Sequence, residues 1–303
     1  KTQFEFELFG TGVDAGQTTF RLRHAYGELG KFGAGQYWSP FMDIDVFPNS
    51  LEYWGPSGMV FFRNIQVRYM PIQGQSKLTF ALERPGASGD GGIYSDRIEL
   101  QDIKPQFYLP DFSAEYRYGD KFGYVELAGI LRSIKWVDTR EDTLSLDGSA
   151  LGWGVNLSSN LNVTKNDVLR LQGIYGEGVE NYMNDAPADI GLEPNSGDPN
   201  RPVKGVPLPV YGIVAFLDHT WSKYFTSSLG YSLINIDNTD GQSGTAFKKG
   251  QYALANLLYY PVSNMMAGVE YQWIQRDNKN GFKSKDMKVQ FSFRWNFSRT
   301  FSM

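Results

Sequence analysis

The sequence lacks cysteine entirely and contains only two histidines among its 303 residues. Without cysteine, the chain can form no disulfide framework, thiolate zinc site or cysteine nucleophile. We place His24 and His219 on the apolar faces of their strands, where amphipathic rings suit a membrane edge better than catalysis. No Gly-x-Ser-x-Gly elbow or phosphate-binding glycine loop is present. The sequence therefore predicts no enzyme, no catalytic residue, no cofactor and no metal site.

Long apolar runs and excess positive charge are also missing. No stretch approaches the ~18 consecutive apolar residues that a membrane-spanning helix needs, so helical membrane proteins are excluded. The formal net charge of -4 argues against a partner made of nucleic acid, because phosphate binding needs a basic surface.

Aromatic residues, by contrast, make up 15% of the chain, and there are 33 glycines. Apolar residues recur at a spacing of two far more often than at three or four, which predicts strands instead of helices. The last strand, residues 285–297, shows the pattern most clearly, since one face is apolar and the other polar. Its apolar positions are Met287, Val289, Phe291, Phe293, Trp295 and Phe297. Two stretches, residues 122–137 and 252–260, are apolar on both faces, so their lumen side stays unassigned.

The connections alternate between short turns and long loops. This alternation is typical of outer-membrane barrels, which have short periplasmic turns and long extracellular loops. We therefore predict an all-β fold, a transmembrane antiparallel β-barrel of about 14–16 strands, with residues 1–303 as a single domain. Residues 182–208 would form one long extracellular loop. A soluble sandwich would need several domains for so many strands, and no linker divides the chain.

Two motifs near the N-terminus resemble a known family. The stretch FRLRHAYGELG at residues 20–30, followed by AGQYWSPF at 34–41 and LEYWGP at 51–56, resembles the signature hairpin of the DcaP-like porins. The resemblance implies a homotrimeric, sixteen-stranded porin that admits small anionic organic molecules such as dicarboxylates. In that family a further hairpin precedes the motif. Either residues before or near Gly10 to Gln17 are missing here, or the barrel is smaller, and the sequence leaves both open.

The polar face of the strands predicts the lining of the lumen. Basic residues opposite apolar neighbours must point inward, because facing lipid at the midplane would cost about 2–4 kcal/mol each. Glu83, Glu115, Asp218 and Glu270 share this face, and we expect a cationic excess with few acidic partners. The alternative is that the charges only solvate one another and keep the lumen wet. The predicted basic lining comprises Arg21, Arg23, Arg68, Arg117, Arg170, Lys288 and Arg294.

Residues 39–58 form a long and unusually aromatic connection. Asp43, Asp45 and Glu52 lie in it among Phe, Tyr and Trp side chains, and we expect so aromatic a loop to pack against the protein. One interpretation is that it folds into the barrel mouth as a constriction, with its carboxylates facing the arginine wall. The other, equally favoured, is simple packing at the rim.

Together these patterns predict an outer-membrane porin of a Gram-negative bacterium with a preference for anionic solutes. Its partners would be outer-membrane lipid and lipopolysaccharide, small anionic solutes and two further copies of the chain in a homotrimer. A sugar-selective channel and a structural or adhesion barrel are the alternatives. Sugar channels use an aromatic slide, and the polar faces of these strands are poor in aromatics.

Overall fold

The computed structural model describes residues 1–8 and 16–300. Part of the stretch from Gly10 to Gln17 therefore lies outside the described residues. No helix in the described part of the chain is long and apolar enough to cross a membrane. The strands are β1 (Thr2–Glu7), β2 (Arg21–Leu29), β3 (Phe32–Trp38), β4 (Arg63–Ile72), β5 (Lys77–Glu83), β6 (Gly89–Asp90), β7 (Ile103–Pro105), β8 (Asp111–Asp120), β9 (Gly123–Asp138), β10 (Gly148–Asn162), β11 (Asp167–Glu177), β12 (Ile190–Pro194), β13 (Val203–Pro207), β14 (Pro209–Ser222), β15 (Phe225–Ile236), β16 (Phe247–Tyr259), β17 (Met265–Asn278) and β18 (Lys283–Trp295).

Fourteen of these strands form one antiparallel meander in the described residues, in the order β1-β2-β3-β4-β5-β8-β9-β10-β11-β14-β15-β16-β17-β18. Strand β7 adds to β9, and a separate small sheet has the order β13-β12-β6. Neighbours along the meander are joined alternately by short turns, such as residues 121–122 and 223–224, and by longer connections. The predicted all-β antiparallel architecture is confirmed.

Each strand of the meander has one apolar outer face and one inner face. On β18, Phe291, Phe293 and Trp295 are 78%, 62% and 60% exposed, and their cross-strand neighbours on β17 lie on the same face. Period-two alternation puts Lys288 of β18 and Glu270 of β17 on the opposite face, where both contact residues 51–52. The outer face suits lipid, and the inner face carries the polar groups.

The sheet curls until its two ends lie close together. Hydrogen-bonded pairing in the described residues runs from β1 to β18. Two adjacent residues bridge those ends, because Glu52 pairs with Lys288 of β18 and Tyr53 accepts a hydrogen bond from Arg23 of β2. Neighbouring Cα atoms are only about 3.8 Å apart. Both ends therefore lie within side-chain reach of one point, as in a barrel.

Strand β1 was not recognised in the sequence, and it changes the interpretation of β2. Phe4 and Phe6 of β1 are exposed, while Glu5 and Glu7 face inward toward the arginines of β2. The register between the two strands shifts between Glu5 and Phe6, which are opposite His24 and Leu22. Such a bulge inserts an extra residue, so the alternation of β2 reverses there.

The placement of His24 on an apolar outer face is therefore wrong. Its side chain is buried on the inner side, 3.7 Å from Glu5 and against the rings of Tyr37 and Trp38. His219 differs, because it keeps the parity of the exposed Leu217 and Trp221 on β14.

The two stretches that are apolar on both faces can now be assigned. Ala128 and Ile130 of β9 point inward and join a buried cluster with Phe41 and Val60. On β16, Tyr252 and Leu254 likewise join a cluster with Val46 and Met59. The inner apolar residues of these strands pack against residues 39–62. The second apolar face of these strands thus packs against residues in the interior and gives no support for contact between subunits.

Candidate functional site

The space enclosed by the meander is occupied in part by the connection between β3 and β4, which we call the inserted segment (residues 39–62). Phe41, Val46, Met59 and Val60 in it are fully buried. Polar contacts follow it around the inner wall from one strand to the next. They join Ser39 to Glu83 of β5, Asp43 to Arg117 of β8, Phe41 to Asn156 of β10, Asp45 to Arg170 of β11, Asn49 to Asp218 of β14, Asn49 to Asn256 of β16, and Leu51 to Glu270 of β17.

Arg117 holds the first half of the inserted segment. Its guanidinium contacts Asp43 at 2.7 Å, Asp45 at 2.5 Å and Glu126 of β9 at 2.5 Å. It also lies 3.8 Å from the centre of the Tyr124 ring, whose hydroxyl donates to Asp43 at 2.7 Å. Asp43 and Glu126 are buried, so their charges depend on this one cation.

The tip of the inserted segment is fixed by charge as well. Glu270 accepts the backbone N–H of Leu51 at 2.6 Å and of Glu52 at 3.0 Å. Burial acts to raise the pKa of Glu52, but Lys288 and the backbone N–H groups of Tyr53 and Trp54 outweigh it and lower that pKa. The tip therefore carries an ionised carboxylate next to a lysine.

A second inserted loop (residues 178–189) packs on the inserted segment. The backbone N–H of Phe61 donates to the carbonyl of Tyr182 at 2.8 Å, and that of Gly58 donates to Asn184 at 3.2 Å. Gly58 has a φ of +77°, and a Cβ there would lie 2.4 Å from the carbonyl oxygen of Leu233 on β15. Only glycine permits this close approach to the wall.

Arg132 of β9 ties the second inserted loop to the wall. The guanidinium is buried and contacts Asp189 at 2.8 Å and Asp111 at 3.1 Å. It also donates to the carbonyls of Gly86 and Gly178. On the same loop, burial raises the pKa of Glu180 well above its usual range, with a further rise from Asp189, which favours the protonated carboxyl.

Two adjoining cavities remain beside the inserted segment. One has a volume of about 480 Å³ and is lined by Arg21, Trp38, Tyr53, Trp54, Phe61 and Arg63, among others. The other has a volume of about 440 Å³ and is lined by Glu52, Trp54, Tyr252, Gln272, Arg276 and Lys288, among others. Trp54 and Asp185 line both cavities. These volumes are those of small-molecule sites, and their walls combine charged and aromatic groups.

The basic residues predicted from the sequence have more acidic partners than expected, so the expected shortage of carboxylates is wrong. Arg21 pairs with Glu7, and Arg23 pairs with Glu5 and Glu7. These pairs were not predicted because their carboxylates come from strand β1, which was not recognised in the sequence. The remaining pairs are Arg117 with Asp43, Asp45 and Glu126, Arg170 with Asp218, and Lys288 with Glu52.

Two predicted residues differ from this pattern. Arg68 donates to Gln66 and to the carbonyl of Trp38, and it lies over the Tyr37 ring at 5.1 Å. Arg294 is exposed on β18. Neither has a carboxylate oxygen within 4.0 Å in the described part of the chain.

The three carboxylates of residues 39–58 all contact basic residues of the wall, as described for Asp43, Asp45 and Glu52. The prediction that the polar faces are poor in aromatics concerned the strands, and the inserted segment adds aromatic rings to the lumen, because Tyr53 and Trp54 line the open space. Alternation within strands could not reveal this, since the rings come from a connection.

Comparison with known proteins agrees with this geometry. The model of the family described as DcaP outer membrane protein matches residues 1–297. The structure is similar to the outer membrane channel DcaP of Acinetobacter baumannii, with a TM-score of 0.79, 21% identity, and coverage of 97% of this chain and 79% of that one. No curated protein sequence matched.

More distant similarity extends to other outer-membrane proteins. The anion-selective porin from Comamonas acidovorans gives a TM-score of 0.56 at 9% identity, covering 94% of this chain and 81% of that one. The trimer form of OmpT from Vibrio cholerae gives 0.52 at 13% identity, covering 91% and 81%. The fold is thus that of a transmembrane β-barrel, and the chain is a protein of the Gram-negative outer membrane. The chain belongs to the DcaP outer membrane protein family.

Proposed function

We propose that this protein is a porin that passes small hydrophilic solutes by passive diffusion and prefers anionic organic molecules such as dicarboxylates. The observation that carries the proposal is the charge around the two open cavities. Arg21, Arg63, Arg276 and Lys288 line them, against two acidic residues, Glu52 and Asp185. Basic groups along a narrow aqueous path favour anions by their field. Arginine suits this role because it stays charged and presents a planar fork to carboxylates.

In this proposal, residues 39–58 act as the constriction loop of a single barrel domain. Residues 182–208 begin inside the lumen, next to the inserted segment, and continue into the hairpin of β12 and β13 on the side of the long connections. The wider basic wall, with Arg68, Arg170 and Arg294, would add to the preference. Screening acts over about 10 Å at 0.1 M salt, so several residues share the effect.

Replacing Arg21 and Arg23 together by Ser should lower the anion-to-cation permeability ratio and slow uptake of a small dicarboxylate. The change removes two positive charges and leaves Glu5 and Glu7 without these partners, so a locally balanced set of charges becomes negative and repels anions. The reversal potential of planar bilayers in a low-salt KCl gradient measures the ratio. Ser at Arg97 and Arg140, in connections away from the cavities, is the matched control.

A wild type that prefers cations would contradict the proposal. So would a reversal potential that the double replacement leaves unchanged at low salt. Either result would assign selectivity to the carboxylates of residues 39–58.

We further propose that the protein assembles as a homotrimer. Support comes from the family resemblance and from the trimer form of the similar OmpT structure. The apolar outer faces offer surface for subunit contact as well as for lipid. Native mass measurement in mild detergent should give three times the 34.2 kDa of one chain. A monomer alone, in several detergents, would contradict the assembly.

A sugar-selective channel is the second candidate, because Tyr53 and Trp54 expose their rings to the open space. Aromatic rings of this kind could guide sugars. Current interruptions by a neutral maltooligosaccharide that exceed those by a dicarboxylate at equal concentration would favour this candidate over the first.

A further inference from the structure

Trp54 of the inserted segment borders the open space of the lumen. Its side chain is 50% exposed although the residues that follow it, from Gly55 onward, are buried, and it lines both cavities. An indole that is half exposed on a water-filled path has an open face for another planar group.

The backbone beneath this indole is fixed on both sides. The N–H of Trp54 donates to Glu52 Oε1 at 3.2 Å, and its carbonyl accepts from Asn184 Nδ2 at 2.8 Å. The next residue, Gly55, has a φ of +82°, and a Cβ there would lie 2.7 Å from the Phe47 ring. The ring is thus presented by a preorganised turn, which lowers the entropy cost of binding.

The exposed indole of Trp54 forms a platform, and the guanidinium of Arg63 beside it offers an N–H donor to an anion. Arg63 lies 4.8 Å over the Trp38 ring in the same cavity as Trp54. The Arg63 side chain interacts with that of Tyr53, but its Nη1 is buried and has no hydrogen-bond partner of normal geometry in the described residues. No carboxylate oxygen of those residues lies within 4.0 Å of it. A buried donor without an acceptor is costly, so a carboxylate that supplies one would bind favourably.

One acidic residue limits the charge of the ligand. Asp185 lines both cavities and has a φ of 68°, a backbone conformation that a non-glycine residue rarely adopts. Its carboxylate accepts from Ser57 Oγ at 2.6 Å and is thereby held beside the platform. A second carboxylate on the ligand would approach this fixed negative charge.

We propose that Trp54 and Arg63 form a binding site for aromatic monocarboxylates, with the ring stacked on the indole and the carboxylate paired with Arg63. The inference rests on the proposed anion preference and adds to the dicarboxylates, for this one site, a second class of anion and the two residues that bind it. Solutes of this class would then dwell in the channel instead of only diffusing through it.

Current interruptions in planar bilayers test the site, with benzoate as the aromatic probe and cyclohexanecarboxylate as its saturated counterpart. Wild-type protein should bind benzoate about tenfold more tightly, the difference expected for one aromatic stacking contact. Trp54→Ala should abolish that difference, and Trp54→Phe should retain most of it. Arg63→Gln should weaken binding of both acids. Trp221→Ala, on the outer face, is the matched control and should behave as wild type.

Several results would overturn the site. They are equal affinity for the two acids, an unchanged ratio in Trp54→Ala, or weakening by Arg276→Gln but not by Arg63→Gln. Stronger interruption by a neutral maltooligosaccharide, lost in Trp54→Ala, would also overturn it by assigning the platform to sugars. The reversal potential in the absence of probe is measured on the same membranes. Anion selectivity there, combined with any of these results, refutes the site alone, whereas cation selectivity refutes the proposed function.

Discussion

Arg117→Met is expected to produce a channel with frequent brief closures and a free energy of unfolding lower by about 3–5 kcal/mol. Arg117 is the cation between Asp43 and Glu126, and both carboxylates are buried. Without it, two buried carboxyl groups lose their cation, and Asp43 keeps only the hydroxyls of Tyr124 and Ser158 and a backbone N–H as donors. The first half of the inserted segment should therefore leave its place against the wall. That half is tethered at β3 and would sample the open path.

Single-channel recording measures the closures, and denaturant unfolding in detergent measures the stability. Arg140→Met is the matched control, because Arg140 pairs with Asp142 in a partly exposed connection, and such pairs contribute about 0–1 kcal/mol. Adding Asp43→Asn and Glu126→Gln to Arg117→Met should restore quiet recordings in part, since the uncompensated charges are then removed. The prediction would be contradicted if Arg117→Met gave a steady current and the same free energy of unfolding as Arg140→Met. Apolar packing alone would then hold the segment.

Arg132→Met is expected to lower the free energy of unfolding by a similar amount, about 3–5 kcal/mol, but to loosen a different part of the lumen. The change leaves Asp111 and Asp189 buried without their cation and frees the carbonyls of Gly86 and Gly178. Amide hydrogen exchange should therefore accelerate in the second inserted loop, while the first half of the inserted segment keeps its protection.

Hydrogen exchange read out by mass spectrometry on peptides covering residues 178–189 and 39–48 separates these regions. Lys204→Met serves as control, because Lys204 forms only a half-exposed pair with Glu193 on the neighbouring hairpin. Uniform acceleration across both peptides would contradict the view that two separate arginine clusters hold the two loops.

The architecture could be predicted from the sequence because alternation is a local property. The exposed Phe291 and Phe293 of β18 follow directly from their spacing, and so does the inward position of Lys288. The short β1 was missed although Phe4 and Phe6 alternate with acidic residues, since six residues give little pattern to recognise. His24 was misplaced because a bulge depends on the register between two strands, which a single strand does not reveal.

The candidate site was only partly predictable for a related reason. The carboxylates of Asp43, Asp45 and Glu52 were identified, but their partners depend on which strands come together across the lumen. Arg63 and Arg132 were missed, since Arg63 has the parity of Ile65 and Arg132 lies in a stretch that is apolar on both faces. Their roles arise from two loops that fold against the same wall.

The bridge made by Glu52 and Tyr53 also bears on the order of folding. Glu52 and Lys288 are 236 positions apart in the chain, and Tyr53 reaches back 30 positions to Arg23. Contacts over such separations carry a large loop-closure entropy and form slowly. The tip can reach both partners only after the last strand has arrived beside the first ones. Docking of the inserted segment is therefore coupled to completion of the sheet, and a chain whose sheet is incomplete would lack a docked segment in its interior.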